Sequence, residues 1–234
     1  MSLLVRDVGR LVSYDDDAPT TDAALVLDGG LVAWSGPLRN APACDEVLSA
    51  GGGCVVPGFV DAHTHLVFAG DRVEEFTARL AGTPYTAGGI RSTVSATRAA
   101  STPSLLASAR RLAAEALRSG TTTLEVKSGY GLTVEDERRS LDVAATVTRH
   151  RTFLGAHVVP EELSAAAYVE LVAGPMLDVC APLATAVDAF CEEGAFDADQ
   201  CRTVLSAGAA RGLDVHVHAN QLRPGPGVQL AASL

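Results

Sequence analysis

The sequence predicts an α/β protein in which a small β-rich domain precedes a larger parallel sheet of the barrel type. Three observations support this fold class: a glycine-rich hairpin near the N-terminus, a downstream alternation of apolar strands with helix-length segments, and polar residues at the ends of those strands. The chain has 234 residues, 47% hydrophobic and 20% charged, which is enough for a sizeable core. We place the boundary near Pro57 and expect residues 1–56 and 57–234 to form two domains.

The first domain is indicated by a hairpin signature. Two apolar runs, residues 23–27 and 31–34, flank Asp28-Gly29-Gly30. Glycine accepts the positive φ angles of a tight two-residue turn, so this order of residues favours two antiparallel strands. Residues 1–56 are therefore predicted to be rich in β-strands.

The second domain is predicted to contain five strands separated by helices. Apolar runs that alternate with helix-length segments indicate βα units, which form parallel sheets. The predicted strands cover residues 54–62, 121–126, 152–158, 186–191 and 213–218. The helix starts between them carry cap residues, at Thr102 (before Pro103), Thr133 (with Asp136) and Asp197 (with Gln200).

Polar residues gather where these strands end. In a parallel α/β barrel the carboxyl ends of all strands meet at one face, which carries the active site. We therefore expect one shared site rather than separate ion pairs at the sheet rim, the alternative for any single residue. The residues concerned are His63, His65, Glu125, Lys127, His157, Glu192, Glu193, His216 and His218.

The spacing of His63 and His65 predicts a metal site. Alternate residues of a strand share a face, so both imidazoles can reach one ion, whereas the simpler reading is two polar residues at a strand end. His218 is the better third ligand, because it is the outermost histidine of its strand, and His216 is expected to lie deeper. Three histidines leave an open coordination position, as in catalytic zinc or ferrous sites. A metal-bound water acidified to a pKa of about 7 makes hydrolysis the expected reaction class.

Composition excludes several classes of partner. The net charge of −10 argues against a surface for nucleic acid or anionic membranes. The N-terminus lacks a secretory signal pattern and no apolar run approaches the length of a membrane span, so a cytoplasmic protein is expected. Five cysteines without a CxxC pair are expected to be reduced thiols.

Several segments carry a resemblance to a known family. Residues 57–65, Pro-Gly-Phe-Val-Asp-Ala-His-Thr-His, resemble the first-strand signature of the amidohydrolase superfamily. Further segments are similar to the imidazolonepropionase family, and the resemblance runs from about residue 25 to residue 234. These segments are residues 63–72 (HTHLVFAGDR), 88–94 (GGIRSTV), 125–132 (EVKSGYGL), 152–157 (TFLGAH) and 190–192 (FCE).

The resemblance implies a more specific fold and activity. The second domain would be a partial TIM-like (β/α) barrel with about five of eight βα units, preceded by an incomplete β-sandwich-type domain. The activity would be metal-dependent hydrolysis that opens the imidazolone ring of 4-imidazolone-5-propanoate to N-formimino-L-glutamate, a step of histidine degradation. One divalent ion, zinc or iron, would be held by His63, His65 and His218.

The resemblance also implies roles for residues around the metal. Arg72 would bind the carboxylate of the substrate, since a guanidinium offers that group a bidentate fork. Tyr130 and Tyr85 would line the pocket, although a loop tyrosine such as Tyr85 is as often plain packing. His157 would hydrogen-bond the substrate ring or its developing oxyanion. Lys127 is expected to be structural, with a single metal.

Two departures from the family pattern leave alternatives open. Gln221 stands where many members carry Glu, and an amide cannot take a proton from water, so its expected role is substrate binding within the catalytic site. The family's sixth-strand His and eighth-strand Asp are absent from the 234 residues. The open sheet edge predicts a homodimer or association with another chain. The alternative functions are another amidohydrolase, either a deaminase or a cyclic amidase, or an inactive truncated fragment that needs a complementary chain.

Overall fold

A computed structural model describes residues 1–13, 19–82 and 88–234. The chain forms two compact units, Met1–Phe59 and Val60–Leu234. The second unit contains the strand ends at which the sequence predicts a site.

The first unit is a five-stranded sheet within its described residues. The strand order is β3-β2-β1-β4, and β5 also pairs with β1. Strands β2 and β3 are antiparallel and are joined by Gly29 and Gly30, with φ of 57° and 80°, so the predicted hairpin is confirmed. The strands are β1 (Leu3–Leu11), β2 (Thr20–Asp28), β3 (Leu31–Pro37), β4 (Glu46–Ser49) and β5 (Cys54–Val55).

The second unit is built on a curled parallel sheet. Its order is β10-β9-β8-β7-β6, with β11 also paired to β9, among the residues that the structure describes. The α/β fold class predicted from the sequence is confirmed. The strands are β6 (Phe59–Thr64), β7 (Thr121–Lys127), β8 (His150–Ala156), β9 (Ala186–Cys191), β10 (Asp214–Val215) and β11 (His218–Ala219).

Two strand predictions differ from the structure. The segment 54–62 is not one strand: Cys54–Val55 pairs with β1, and the strand that leads to the histidines starts at Phe59. Pro57 separates the two because it has no backbone N–H to donate to a ladder. The segment 213–218 is also split, since the backbone N–H of His218 donates to the carboxylate of Asp188 (3.1 Å) instead of to a neighbouring strand's carbonyl.

Helices follow the strands, with starts close to those predicted. Thr133 and Asp197 are N-caps whose side chains accept from the N–H three residues on, as predicted. Ser101, not Thr102, caps α3, because its hydroxyl accepts from the Ser104 N–H. The helices are α1 (Val73–Leu80), α2 (Gly88–Ala99), α3 (Thr102–Arg118), α4 (Val134–Ala144), α5 (Ala165–Leu171), α6 (Leu177–Cys180), α7 (Ala198–Ala209) and α8 (Gly227–Ala232).

One helical segment, Ala165–Leu183, is long and apolar enough to cross a membrane by length and composition. Its course is interrupted at Gly174, which has non-helical φ and ψ angles of −111° and −106°, and Pro175 follows. Val172, Met176 and Leu177 of this segment are fully buried in the main core. The segment therefore packs as a kinked core helix of the second unit.

The main core of the second unit lies between the sheet and the helices that follow β7 to β9. Phe153 on β8 and Val187 on β9 have no solvent exposure, and neither has Leu205 on α7. A Cβ on Gly208 of α7 would lie 2.3 Å from Val187, so the absence of a side chain allows α7 to pack directly against β9. This packing fixes the strands whose carboxyl ends carry the predicted site.

Candidate metal centre and substrate pocket

His63 and His65 lie side by side at the carboxyl end of β6. Their Nε2 atoms are 3.3 Å apart. Two nitrogens bound at about 2.0–2.1 Å to one tetrahedral ion would be separated by about 3.3 Å, so the pair already has the spacing of two ligands. Thr64, between them, points to the opposite face and donates its hydroxyl to the Glu125 carbonyl at 2.6 Å, which ties β6 to β7.

His218, on β11, brings a third imidazole to this pair. The ring centroids of His218 and His63 are 4.4 Å apart, and the ligand atoms of the three histidines all lie within 4.8 Å of one another. His218 donates Nδ1–H to Asp188 Oδ2 at 2.8 Å. This hydrogen bond fixes the tautomer and leaves Nε2 with a free lone pair, as in metal-bound histidines whose second nitrogen is held by a carboxylate.

The three imidazoles fit a divalent cation. The Nδ1 atom of His65 is buried and has no hydrogen-bond partner among the described residues. Burial, with smaller contributions from the neighbouring imidazoles, lowers the pKa of His65 to about 2, and burial also lowers the pKa of His63. Both rings are therefore neutral at pH 7, and neutral imidazole is the form that binds zinc or iron. His63, His65 and His218 could hold one such ion.

Lys127, the only lysine in the sequence, is the last residue of β7 and contacts Asp188, the partner of His218. Its Nζ atom is 2.8 Å from Glu125 Oε1 and 2.9 Å from Asp188 Oδ2, and its side chain is 2% exposed. Burial alone would raise the pKa of Asp188, but the hydrogen bond and charge of His218 and the Lys127 ammonium outweigh it and lower the pKa. The two carboxylates and one ammonium leave a net negative charge next to the three imidazoles.

The rings of His157 and Tyr130 lie next to His65. The His157 ring stacks on His65 with centroids 5.5 Å apart, and the Tyr130 ring is 5.2 Å from His157. Burial lowers the pKa of His157 to about 4. The neutral ring donates Nδ1–H to the Gly129 carbonyl at 2.8 Å, so its Nε2 atom remains an acceptor.

Arg72 lies in a pocket of about 680 Å³ that opens beside His65 and Tyr130. Its Nε donates to Thr93 Oγ1 at 3.0 Å, and its terminal amine donates to the Tyr130 hydroxyl at 3.3 Å. These contacts orient the guanidinium, which also lies 5.7 Å from the centre of the Tyr130 ring. The pocket therefore presents an oriented positive group close to the three histidines.

The remaining predicted residues lie at the edge of the group or beyond it. Gln221 is exposed, and its backbone N–H donates to Glu192 Oε1 at 2.6 Å. His216 has a 40% exposed side chain, 3.8 Å from Glu125, and is less buried than His218, contrary to the expectation that it would lie deeper. It follows β10, the edge strand of the sheet, which explains this exposure. Tyr85 lies outside the described residues.

Sequence reasoning missed residues that support the site from behind. Asp188, which holds His218 and Lys127, stands alone as a charge within an apolar strand, and that isolation was a usable signal. Thr93, which orients Arg72, and Glu137, which binds three backbone N–H groups, gave no local signal. Arg72 and Thr93 lie on different segments, and Glu137 binds the loop that leads into its own helix.

We expect Asp188→Asn to weaken metal binding by about 10- to 100-fold, the usual cost of losing a carboxylate that orients a metal-bound histidine. An amide in this place can present its NH₂ group to His218 Nδ1 and disturb the tautomer. Zinc titration against a competing chelator measures the change. Asp178→Asn, which alters an exposed pair with Arg211, is the control, and equal affinities for the two variants would contradict the role given to Asp188.

Curated proteins are similar to this chain in sequence. No protein-family model matches the chain. It is 61% identical to the imidazolonepropionase of Mycolicibacterium smegmatis, an alignment that covers 98% of this chain and 60% of that protein. It is 57% identical to the imidazolonepropionase of Salinispora tropica, covering 100% of this chain and 61% of that protein. The chain thus spans about three fifths of the length of these curated relatives.

Solved structures of low sequence identity share the fold. A Xaa-Pro dipeptidase with bound methionine superposes with a TM-score of 0.66 at 14% identity, covering 100% of this chain and 59% of that chain. A guanine deaminase of C. acetobutylicum with bound guanine gives 0.60 at 12% identity, covering 93% and 52%. These two solved proteins therefore share the fold of this chain. Over nearly all of its residues, the chain is thus similar to about three fifths of the length of curated imidazolonepropionases.

Proposed function

We propose that the protein is a metal-dependent hydrolase that opens the imidazolone ring of 4-imidazolone-5-propanoate to give N-formimino-L-glutamate, a step of histidine degradation. The observation that carries this proposal is the oriented guanidinium of Arg72 in the pocket that His65 also lines. A heterocycle that bears a carboxylate fits this pocket, because the carboxylate can bind Arg72 while the ring faces His65. The name of the curated relatives supports the same substrate.

The metal would be one divalent ion, zinc or iron, held by His63, His65 and His218. When bound, such an ion activates water and polarises a carbonyl group. Asp188 keeps the His218 tautomer suited to binding, and Lys127 reduces the repulsion between Asp188 and Glu125.

The other site residues would orient the substrate. Arg72 binds its carboxylate as a bidentate partner, and the Tyr130 hydroxyl contacts the same end. The neutral His157 ring accepts a hydrogen bond from a ring N–H through Nε2. Gln221 would contact the substrate. It lies in a loop whose backbone N–H groups, at Gln221 and Leu222, donate to Glu192 Oε1. Tyr85 is proposed as a further pocket residue.

Partners and location are proposed on the same basis. The substrate is a small molecule, and the net charge of −10 disfavours nucleic acid and anionic membranes. A cytoplasmic location suits an enzyme that degrades a free metabolite. Homodimer formation, or association through a sheet edge at β6 or β10, remains a prediction that the exposed side chains of Phe59 and Val60 on β6 support.

We expect Arg72→Ala to reduce kcat/KM for imidazolone propionate by about 100-fold, mainly through KM, because a charge-assisted hydrogen-bonded pair is lost. Arg72→Lys restores the charge without the planar fork and should recover only part of the loss. Steady-state kinetics with metal analysis measure both effects. Arg111→Ala, at another part of the same pocket, is the matched control. Full activity of Arg72→Ala would contradict the proposed carboxylate contact.

A substrate panel separates this function from the alternatives. Imidazolone propionate is compared with the same ring lacking the carboxylate, and with substrates of deaminases and cyclic amidases. Turnover of the ring without a carboxylate at an equal rate would favour another amidohydrolase. Metal analysis and sizing of the purified chain test the third possibility, since a zinc-replete, active monomer would rule out an inactive fragment.

A further inference from the structure

Glu137, on α4, is a buried carboxylate behind the pocket, and the proposed reaction gives it no direct part. Its side chain has no solvent exposure. Its Oε2 atom accepts from the Gly129 N–H at 2.9 Å, and Oε1 accepts from the N–H groups of Gly131 and Leu132, both at 2.8 Å. One carboxylate therefore gathers three backbone donors of a single loop.

The loop that Glu137 binds contains two residues with positive φ angles, Gly129 and Leu132. Gly129 has φ of 107° and Leu132 has φ of 58°, and the second value is unfavourable for a residue with a side chain. A Cβ on Gly129 would lie 2.9 Å from the Leu154 carbonyl oxygen and 3.0 Å from His157 Nδ1. The loop thus lies directly against β8 and His157, and the carboxylate compensates its inward-facing N–H groups.

This loop connects Glu137 to two residues of the site. The carbonyl of Gly129 accepts the Nδ1–H of His157 at 2.8 Å, which selects the tautomer that leaves Nε2 as an acceptor. Tyr130, the next residue, places its hydroxyl 3.3 Å from the Arg72 guanidinium. The same short stretch of backbone therefore sets one hydrogen-bond acceptor and one hydroxyl of the pocket.

We propose that Glu137 is a positioning residue, which fixes the His157 tautomer and the location of the Tyr130 hydroxyl through the backbone of residues 129–132. The consequence is selectivity for a heterocycle that presents an N–H donor to His157 Nε2 while its carboxylate faces Arg72. This inference rests on the proposed function for the identity of the substrate. The tautomer itself can be tested without any substrate.

The test compares Glu137→Gln with Glu135→Gln. Glutamine has the same size as glutamate, but at position 137 its amide would turn an NH₂ group towards at least one of the three N–H donors. Glu135 is an exposed carboxylate on the first turn of the same helix, so its replacement removes the same charge without touching the loop. The ¹⁵N resonances of the His157 ring, identified by their loss in His157→Gln, report the tautomer because protonated and bare ring nitrogens differ widely in shift.

In the unsubstituted protein we expect Nδ1 protonated and Nε2 bare. Glu137→Gln should mix the two tautomers and lower kcat/KM for imidazolone propionate by about 10- to 100-fold, with metal content unchanged, since small displacements of contact groups have costs of this size. Glu135→Gln should change neither property by more than about twofold.

Several outcomes would overturn the inference. One is a bare Nδ1 in the unsubstituted protein, which remains decisive even if Glu137→Gln does not fold. Another is an unchanged His157 tautomer in a folded Glu137→Gln protein, whether or not turnover is lost. If the unsubstituted protein does not turn over imidazolone propionate, the proposed function fails, whereas the tautomer comparison still decides the role of Glu137.

Discussion

Replacing Lys127 by Met is expected to destabilise the protein by about 3–5 kcal/mol, the typical result of removing one partner from a buried ion pair. Methionine has nearly the volume of lysine, so the change removes the charge with little effect on packing. It leaves Glu125 and Asp188, on neighbouring parts of the sheet, without the ammonium that lies within 3 Å of both.

The large effect follows from burial and not from the length of the ion pairs. Arg111 and Glu115 are 2.7 Å apart, closer than either Lys127 pair, but their side chains are 60% and 46% exposed. Exposed i,i+4 pairs contribute about 0.3–0.5 kcal/mol, since water screens both charges and solvates them when the pair is broken. Arg111→Met is therefore the matched control, with a loss of about 0.5 kcal/mol or less.

Urea denaturation with chelator present measures both variants without a contribution from metal binding. A second replacement, Asp188→Asn, should return part of the stability lost in Lys127→Met, because it removes one of the two carboxylates that have lost the Lys127 ammonium. A loss below about 1 kcal/mol for Lys127→Met would contradict the burial of Lys127, Glu125 and Asp188, because it would show that water solvates the two carboxylates.

The sequence predicted the parts of the site that depend on local pattern. The i, i+2 spacing of His63 and His65 is a strand property, so one strand was sufficient to predict their common face. The hairpin at Gly29-Gly30 and the caps at Thr133 and Asp197 are local for the same reason. Such features need no knowledge of which strands are neighbours.

What could not be predicted depends on contacts between distant segments. The break between β5 and β6 arises because Cys54–Val55 pairs with β1 of the first unit, and an apolar run does not reveal its partner strand. Asp188 becomes the partner of both His218 and Lys127 only when three strands are aligned. The contacts of Glu137 are close in sequence, 5, 6 and 8 residues apart, but the loop conformation that brings these N–H groups to one carboxylate has no sequence pattern.

Replacing His65 by Ala is expected to abolish metal binding at the site and to lower turnover of imidazolone propionate by at least about 10³-fold. The metal contributes several kcal/mol of transition-state stabilisation, and each 1.36 kcal/mol is a factor of ten. His65 is the centre of the group: it faces His63 at 3.3 Å, and its ring also contacts those of His157 and His218.

Thermal unfolding with and without zinc provides a readout that does not depend on activity. A ligand that binds only the folded state at 100 times its Kd adds about 2.7 kcal/mol of stability. The unsubstituted protein should gain this amount and lose it on chelation, whereas His65→Ala should respond to neither treatment. His150→Ala, which removes an exposed histidine at the start of β8, should retain the full zinc response.

Measuring the unfolding free energy in zinc and in chelator separates the role of His65 as a metal ligand from its role in packing. His65 keeps a buried Nδ1 atom without a hydrogen-bond partner among the described residues, and burial lowers the pKa of its ring to about 2. The stabilisation that a bound ion adds to the folded state depends on His65 as a ligand and is absent when the ion is chelated. The penalty for His65→Ala should therefore be smaller in chelator than in zinc. Equal penalties under the two conditions would contradict a metal role for His65.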